Sequence, residues 1–265
     1  MKKLTLLLLS VLALSAYAQV TTEPAIIQKG YDGEITIIFN PNEGNKGMAS
    51  ATKCYAHTGL ITSASSSDGD WKNVVEGWRS NTAKTQLTKD GTNWKLVIPN
   101  IYEYYNCPTT TEIKKIAFVF HDGPSGSKEG KTAEGTDIFV ELADKGLAVS
   151  INDLAEITTQ NTKVTFTGNA TASATLTLKI NGETVKTATG TQLTHDYTFA
   201  KQGNYNIEFT ATSGTQTAKA TAFTCVPNAP TKANRPAGIV NGIYYDKINP
   251  TKVTLCTYAA SKTAP

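Results

Sequence analysis

Beyond residue 20 this 265-residue chain has no long apolar run, no cysteine cluster and no excess of either charge. Each absence excludes something. Lysine and arginine total 25 against 22 acidic residues, a net +3. Lys2 and Lys3 lie in a segment read below as a leader, and without them the balance is about +1. Such a chain has no electrostatic case for nucleic acid or an anionic membrane as partner, and a neutral partner fits better. The cysteines are Cys54, Cys107, Cys225 and Cys256, with no CxxC and no Cys/His cluster at zinc spacing. An oxidising compartment would permit a Cys54–Cys107 disulfide, and buried free thiols are the alternative. His57, His121 and His195 show no metal-ligand spacing among them. There is no Gly-x-Ser-x-Gly elbow, and "GPSGSKEGK" lacks the Gly-Lys-Ser/Thr of a phosphate loop. No metal and no cofactor is expected.

The first residues are the exception to the missing apolar runs. "MKKLTLLLLSVLALSAYAQV" joins a charged start, a leucine-rich run and the small-residue ending Ala16-Tyr17-Ala18. Those are the parts of a signal peptide, residues 1–18, with cleavage expected after Ala18. The run is too short to span a bilayer comfortably, and no cysteine follows it as a lipid anchor. A secreted protein, extracellular or periplasmic, is expected.

What remains is strand pattern, with no sustained helical period. The expected class is all-β, with two β-sandwich modules in tandem. In residues 19–143, "EITIIF" places Ile35, Ile37 and Phe39 on one face, and "NWKLVI" does the same with Trp94, Leu96 and Ile98. "IKKIAFVF" and "DIFVEL" read as more buried strands. "DWKNVVEGW" offers a short helical turn. Residues 144–226 change texture to threonine- and alanine-rich strands with turns expected every eight to twelve or so residues, as in a sandwich. Asn181-Gly182 predicts a two-residue hairpin, because both residues tolerate positive φ. "FAKQGNYNIEFTAT" resembles the penultimate-strand region of immunoglobulin-like and PKD-like domains, which implies a structural spacer. Residues 227–238, with three prolines, read as an extended linker. Residues 239–265 begin a further strand pattern and stop, which predicts a fragment of a longer protein.

The stretch Lys53–Trp78 stands apart. Two of the chain's three tryptophans, Trp71 and Trp78, lie there among serines and aspartates, and Tyr55 and His57 precede them. On a strand, positions i and i+2 project to one face, so Tyr55 and His57 share a face while Cys54 and Ala56 take the other. Trp71 and Trp78 follow after a loop able to fold back over it. Flat rings shown to solvent are what a neutral sugar needs. Each pyranose has a C–H face whose burial is worth ~25 cal/mol per Å², and the ring quadrupole adds to it. Trp94, alternating with Leu96 and Ile98, belongs to the core.

The pattern "CYAHTG…DWKNVVEGW…NWKLVI…IKKIAFVFHDGPSGSKEG…DIFVEL" resembles the starch-binding carbohydrate modules of families 25 and 26, especially those preceding α-amylases of the Bacteroidetes group. The resemblance covers about Val20–Leu142. It implies a β-sandwich that binds α-1,4-glucan (starch, maltooligosaccharides) through Tyr55, His57, Trp71 and Trp78. The loop after "AFVF" would add polar contacts from His121, Asp122 and Lys128, although it lacks the Trp-Asp-Asn-Asn sequence common there. The end of the chain, "RPAGIVNGIYYDKINPTKVTLCTYAASKTAP", is similar to the opening strands of the family 48-type domain that precedes the catalytic barrel of family 13 glycoside hydrolases. Together these imply the non-catalytic front of a secreted amylase, with a catalytic domain downstream. A stand-alone secreted or surface glycan-capture protein is the alternative. "FHDG" echoes the His-Asp pair of amylase active sites. Hydrolysis needs two carboxylates about 5–10 Å apart in a cleft, and neither the companion motifs nor a (β/α)₈ pattern is present. On this reading Tyr55→Ala, His57→Ala and Trp71→Ala each weaken starch binding without moving the melting temperature.

Overall fold

The alternation of the sequence becomes pleat. In a computed structural model describing residues 11–12, 19–152, 154–227, 242–245 and 253–256, almost every element is a strand. Ile35, Ile37 and Phe39 are fully buried, and the residues between them are partly exposed. Their strand β3 (Ile35–Phe39) lies between β2 (Val20–Glu23) and β6 (Asn93–Ile98), with β5 (Thr88–Asp90) at the far edge, all antiparallel. A second sheet holds β4 (Tyr55–Thr62), β7 (Ile113–His121), β8 (Glu129–Gly130) and β9 (Ile138–Glu141), with β7 paired to the other three. Apolar faces of the two sheets share one core, where Phe39 stacks on Phe120 with centroids 3.9 Å apart. Trp94 is in that core, 4% exposed, as its alternation predicts.

Helix falls elsewhere than the sequence suggests. Trp71–Trp78 forms no helical turn but bends and turns along the edge of β4. The single short helix among the described residues is α1 (Ile101–Tyr104), capped by the Asn100 side chain, which accepts from the N–H groups of Tyr102 and Glu103. It drives Ile101, Tyr102 and Tyr104 into the core. Cys54, Cys107 and Cys225 are free thiols, so Cys54 and Cys107 do not form the disulfide considered above.

A second core gathers residues from Val149 to Val226. It is built on β10 (Val149–Ile151), β11 (Lys163–Ile180), β12 (Glu183–Thr198), β13 (Gly203–Ser213) and β14 (Gln216–Val226). The strands are longer than the expected spacing of turns. "KVTFTG" and "SATLTLKI" fuse into β11 because no proline or glycine breaks the "NATA" between them. The surplus residues are absorbed as a bulge, where the register with β12 shifts between Asn169 and Ala174. Beyond that bulge β11 exchanges its partner β10 for β13. The path therefore curls, and β10 packs against β14. Asn181 and Gly182 make the expected hairpin at φ 51° and 85°. The Tyr205 hydroxyl donates to the Lys201 carbonyl at 2.7 Å and pins the corner before β13.

Val11–Leu12 (β1) lies parallel to β14 at Lys219 and Ala220, while the rest of the expected leader is outside the described residues. Residues 1–227 form one compact unit and 228–265 another. In the latter, β15 (Gly242–Tyr245) pairs antiparallel with β16 (Val253–Cys256). Residues 228–238 of the expected linker lie outside the described residues. Among the described residues no helix is long and apolar enough to cross a membrane.

Candidate functional site

Strand β4 has one face in the core and one outside it. Cys54, Ala56 and Leu60 enter the core, so Tyr55, His57 and Gly59 point the other way, as their parity predicts. Across the ladder, Tyr55 pairs with His121, His57 with Val119 and Gly59 with Ala117. Phe139 on β9 pairs with Ala117 from the other side. The segment after the serine run then returns along the free edge of β4. Lys72 and Leu60 exchange backbone hydrogen bonds at 2.8 and 2.7 Å, and the Val75 N–H donates to the Thr58 carbonyl at 3.0 Å. Gly59 permits this close passage. A Cβ there would come within 3.1 Å of the Lys72 carbonyl oxygen and of Val74.

The result is a continuous strip of rings. His57 lies nearly parallel to Trp71, with centroids 5.4 Å apart and planes at 24°. Trp78 meets His57 edge-on at 5.1 Å and 87°. It also touches His121 at 5.7 Å, and His121 in turn stacks on Tyr55 at 5.9 Å. At the other end Trp71 reaches Phe139 at 6.5 Å. Trp78 is 48% exposed, while His57 and Trp71 are partly exposed. Trp78 thus stands nearly at a right angle to His57, and Trp71 is stacked on His57.

Burial divides the predicted residues into two groups. Trp71, Trp78 and His57 reach solvent, but Tyr55 is 6% exposed and His121 is 1% exposed. Tyr55 therefore backs the strip and does not offer a face, since Gly123 and His121 cover it. His121 closes strand β7 and is no loop contact. The carboxylate of Asp122 accepts from Arg79 at 3.3 Å and from the Lys128 backbone N–H at 3.1 Å. Lys128 directs its ammonium to the Ser50 carbonyl at 3.2 Å. The polar groups expected from that loop are thus engaged within the protein.

Two residues outside the sequence reading complete the arrangement. Arg79 stands in the left-handed region at φ 61°, next to the exposed indole. It donates to Asp122, to the Gly123 and Gly126 carbonyls at 3.2 and 2.7 Å, and to Glu129 at 3.1 Å, fastening the Trp78 loop to residues 122–129. Its guanidinium also lies 5.5 Å from the Trp78 ring centre. Phe139 reads in sequence as one more strand residue, and only the pairing of β9 with β7 brings it beside Trp71. Near it, Lys115 pairs with Asp68 and Glu141 at 3.0 and 3.3 Å. The Trp71 indole N–H donates to the Asp68 carbonyl at 3.0 Å.

Burial holds the His121 imidazole down to about 4, with the Arg79 and His57 charges acting in the same direction. His57 is lowered as well, by burial first. The Gly123 N–H donates to His121 Nδ1 at 3.1 Å, a bond that only the neutral ring can accept. An unfolded histidine titrates near 6.5, so between 6.5 and about 4 the unfolded chain binds more protons than the folded one. Stability is complete above that window and falls as pH drops through it, by about 1–2 kcal/mol at pH 5. Urea melts at pH 7 and pH 5 should show that loss, and His121→Gln should remove most of it. An unchanged slope in the variant would place the proton uptake elsewhere.

No family model matches this chain, and no curated protein does. Solved structures do. The fibronectin(III)-like modules of Clostridium thermocellum CbhA align over 31% of this chain and their full length, at 12% identity and TM-score 0.23. A structure on Dscam isoform specificity aligns over 65% of this chain and 38% of its own, at 12% identity and TM-score 0.23. The four N-terminal Ig domains of Dscam1 isoform 8.4 align over 65% and 37%, at 12% identity and TM-score 0.24. This chain thus spans well under half the length of those two relatives.

Proposed function

We propose that the first sandwich binds neutral α-glucan chains on the ring strip of the β4–β7–β9 face, and that the second serves as a spacer. The observation that carries this reading is Trp78 standing nearly at a right angle to His57, on which Trp71 is stacked. A sugar ring laid on one plane has its C–H face covered, and the next unit of a curved chain meets the other plane. Such a contact needs no metal and no net charge, in keeping with the near-neutral composition. Lys115, Asp68, Glu141 and the backbone beside Trp71 supply hydrogen-bonding groups at one end of the strip.

A shallow site of this kind binds with Kd on the order of 10 μM–1 mM. Useful retention then comes from many sites along one polymer and from tethering. We further propose that the chain holds a starch-degrading enzyme on its substrate. The sequence resemblances of the first module and of residues 239–265 support that part. Titration with maltoheptaose, followed by tryptophan fluorescence, tests the binding. Saturable quenching or enhancement in the expected range, absent with cellohexaose, supports it. No change up to 10-fold above about 1 mM would end it.

A further inference from the structure

Trp78 rests on two histidines, and neither accommodates a second proton where it stands. One is His121, 1% exposed, with its ring centre 5.7 Å from that of the indole. Its Nδ1 accepts the Gly123 N–H at 3.1 Å, so a proton there would break that bond. The other is His57, 5.1 Å from the indole. Its Nδ1 is buried with no hydrogen-bond partner, and a doubly protonated ring would bury a donor there without an acceptor. Charged groups frame both rings. Arg79, from the loop that carries Trp78, opposes a positive charge on His121, as does His57, while Asp122 and Glu129 favour it. Those two carboxylates are already paired with Arg79, at 3.3 and 3.1 Å. Around His57 the Glu76 carbonyl and Asp137 favour the charged ring, and burial outweighs them.

We propose that these two histidines make the ring strip acid-releasing: when they take protons from solvent, the Trp78 loop lifts from β4 and β7 and bound glucan is set free. That glucan is the released ligand rests on the reading above, and the loop movement does not. Arg79 ties the loop to residues 122–129 through Asp122, Glu129 and the Gly123 and Gly126 carbonyls. Gly123 is common to both contacts, since its N–H donates to His121 and its carbonyl accepts from Arg79. A proton on His121 therefore detaches Gly123 from the ring and sets a positive charge beside the guanidinium that holds the loop. With the loop raised, both imidazoles reach water and regain their ordinary titration near 6.5. Burial holds His121 at about 4 in the closed form, so the ratio of open to closed loop rises roughly 20-fold from pH 7 to pH 5 through this residue alone. The closed form is at its most favoured above 6.5 and loses ground as pH falls toward 4.

Two measurements on the full chain at pH 7 and pH 5 test this: titration with maltoheptaose, and hydrogen exchange without sugar, corrected for the intrinsic rate at each pH. The dissociation constant should be about 3- to 20-fold higher at pH 5. Residues 73–82 and 122–129 should lose exchange protection at pH 5, while β3 and β6 keep theirs. His121→Asn offers a side-chain oxygen to the Gly123 N–H and does not titrate, so both responses should shrink in it. An undiminished response in that variant overturns the assignment to His121, and if it fails to fold, exchange in the wild-type chain decides. Binding at pH 7 that weakens less than about threefold at pH 5 overturns the release and leaves the glucan site standing. Weakened binding with protection unchanged overturns the loop movement. No binding at either pH ends the glucan reading, and the loop movement then stands if protection falls and is overturned if it does not.

Discussion

Trp78→Ala is expected to weaken binding of maltoheptaose roughly 30- to 150-fold, equivalent to ~2–3 kcal/mol. The estimate follows from area. A sugar face laid on an indole removes on the order of 100 Å² of apolar surface from water, at about 25 cal/mol per Å². The same substitution should move the melting temperature by no more than about 5 °C, because Trp78 is 48% exposed and its packing is confined to His57, His121 and Arg79. Retention on insoluble starch should fall in parallel. Phenylalanine at the same position is expected to restore part of the affinity, since a smaller flat face remains. Unchanged affinity in Trp78→Ala would mean that the ring strip is not where glucan binds, and the proposed function would have to be abandoned for this face.

Tyr55→Ala should do the reverse, destabilising the first module by about 3–5 kcal/mol and lowering its melting temperature by roughly 10–25 °C. Tyr55 is turned to the outer side of β4, yet only 6% of it is exposed, and the Arg79-fastened loop and Gly123 lie against it. Removing the ring leaves a cavity under His121 and takes support from the contact between His121 and Trp78. Here the structure reverses the expectation from sequence, under which this substitution spares the fold. Thermal melts of Tyr55→Ala and Tyr55→Phe decide the matter, with the phenylalanine variant expected to stay close to wild type. A Tyr55→Ala protein that melts normally but no longer binds starch would show that Tyr55 touches glucan directly.

Much of this was legible in the chain itself. Period-two alternation placed Ile35, Ile37, Phe39, Trp94, Leu96 and Ile98 in the core, because a pleat sends alternate side chains to opposite faces whatever the partner strand. Asn181-Gly182 announced its hairpin through the left-handed φ that these two residues accept at low cost. The parity of Tyr55 and His57 likewise followed from local geometry.

Exposure did not follow from local geometry. Whether an outward ring reaches water depends on what lies across it, and here that is decided by residues far away in sequence. Arg79 grips residues 122–129, Gly123 covers Tyr55, and Phe139 arrives through β9. Asp122 and Lys128 look available in sequence because hydrogen-bond partners such as Arg79 and Ser50 cannot be assigned without the fold. Sequence by itself determined the β class, the face on which the rings lie and the main turn of the second module, since all three are set by neighbours within a few residues. Only tertiary structure decided which rings meet solvent and which polar groups remain free, since both depend on contacts between segments distant in the chain.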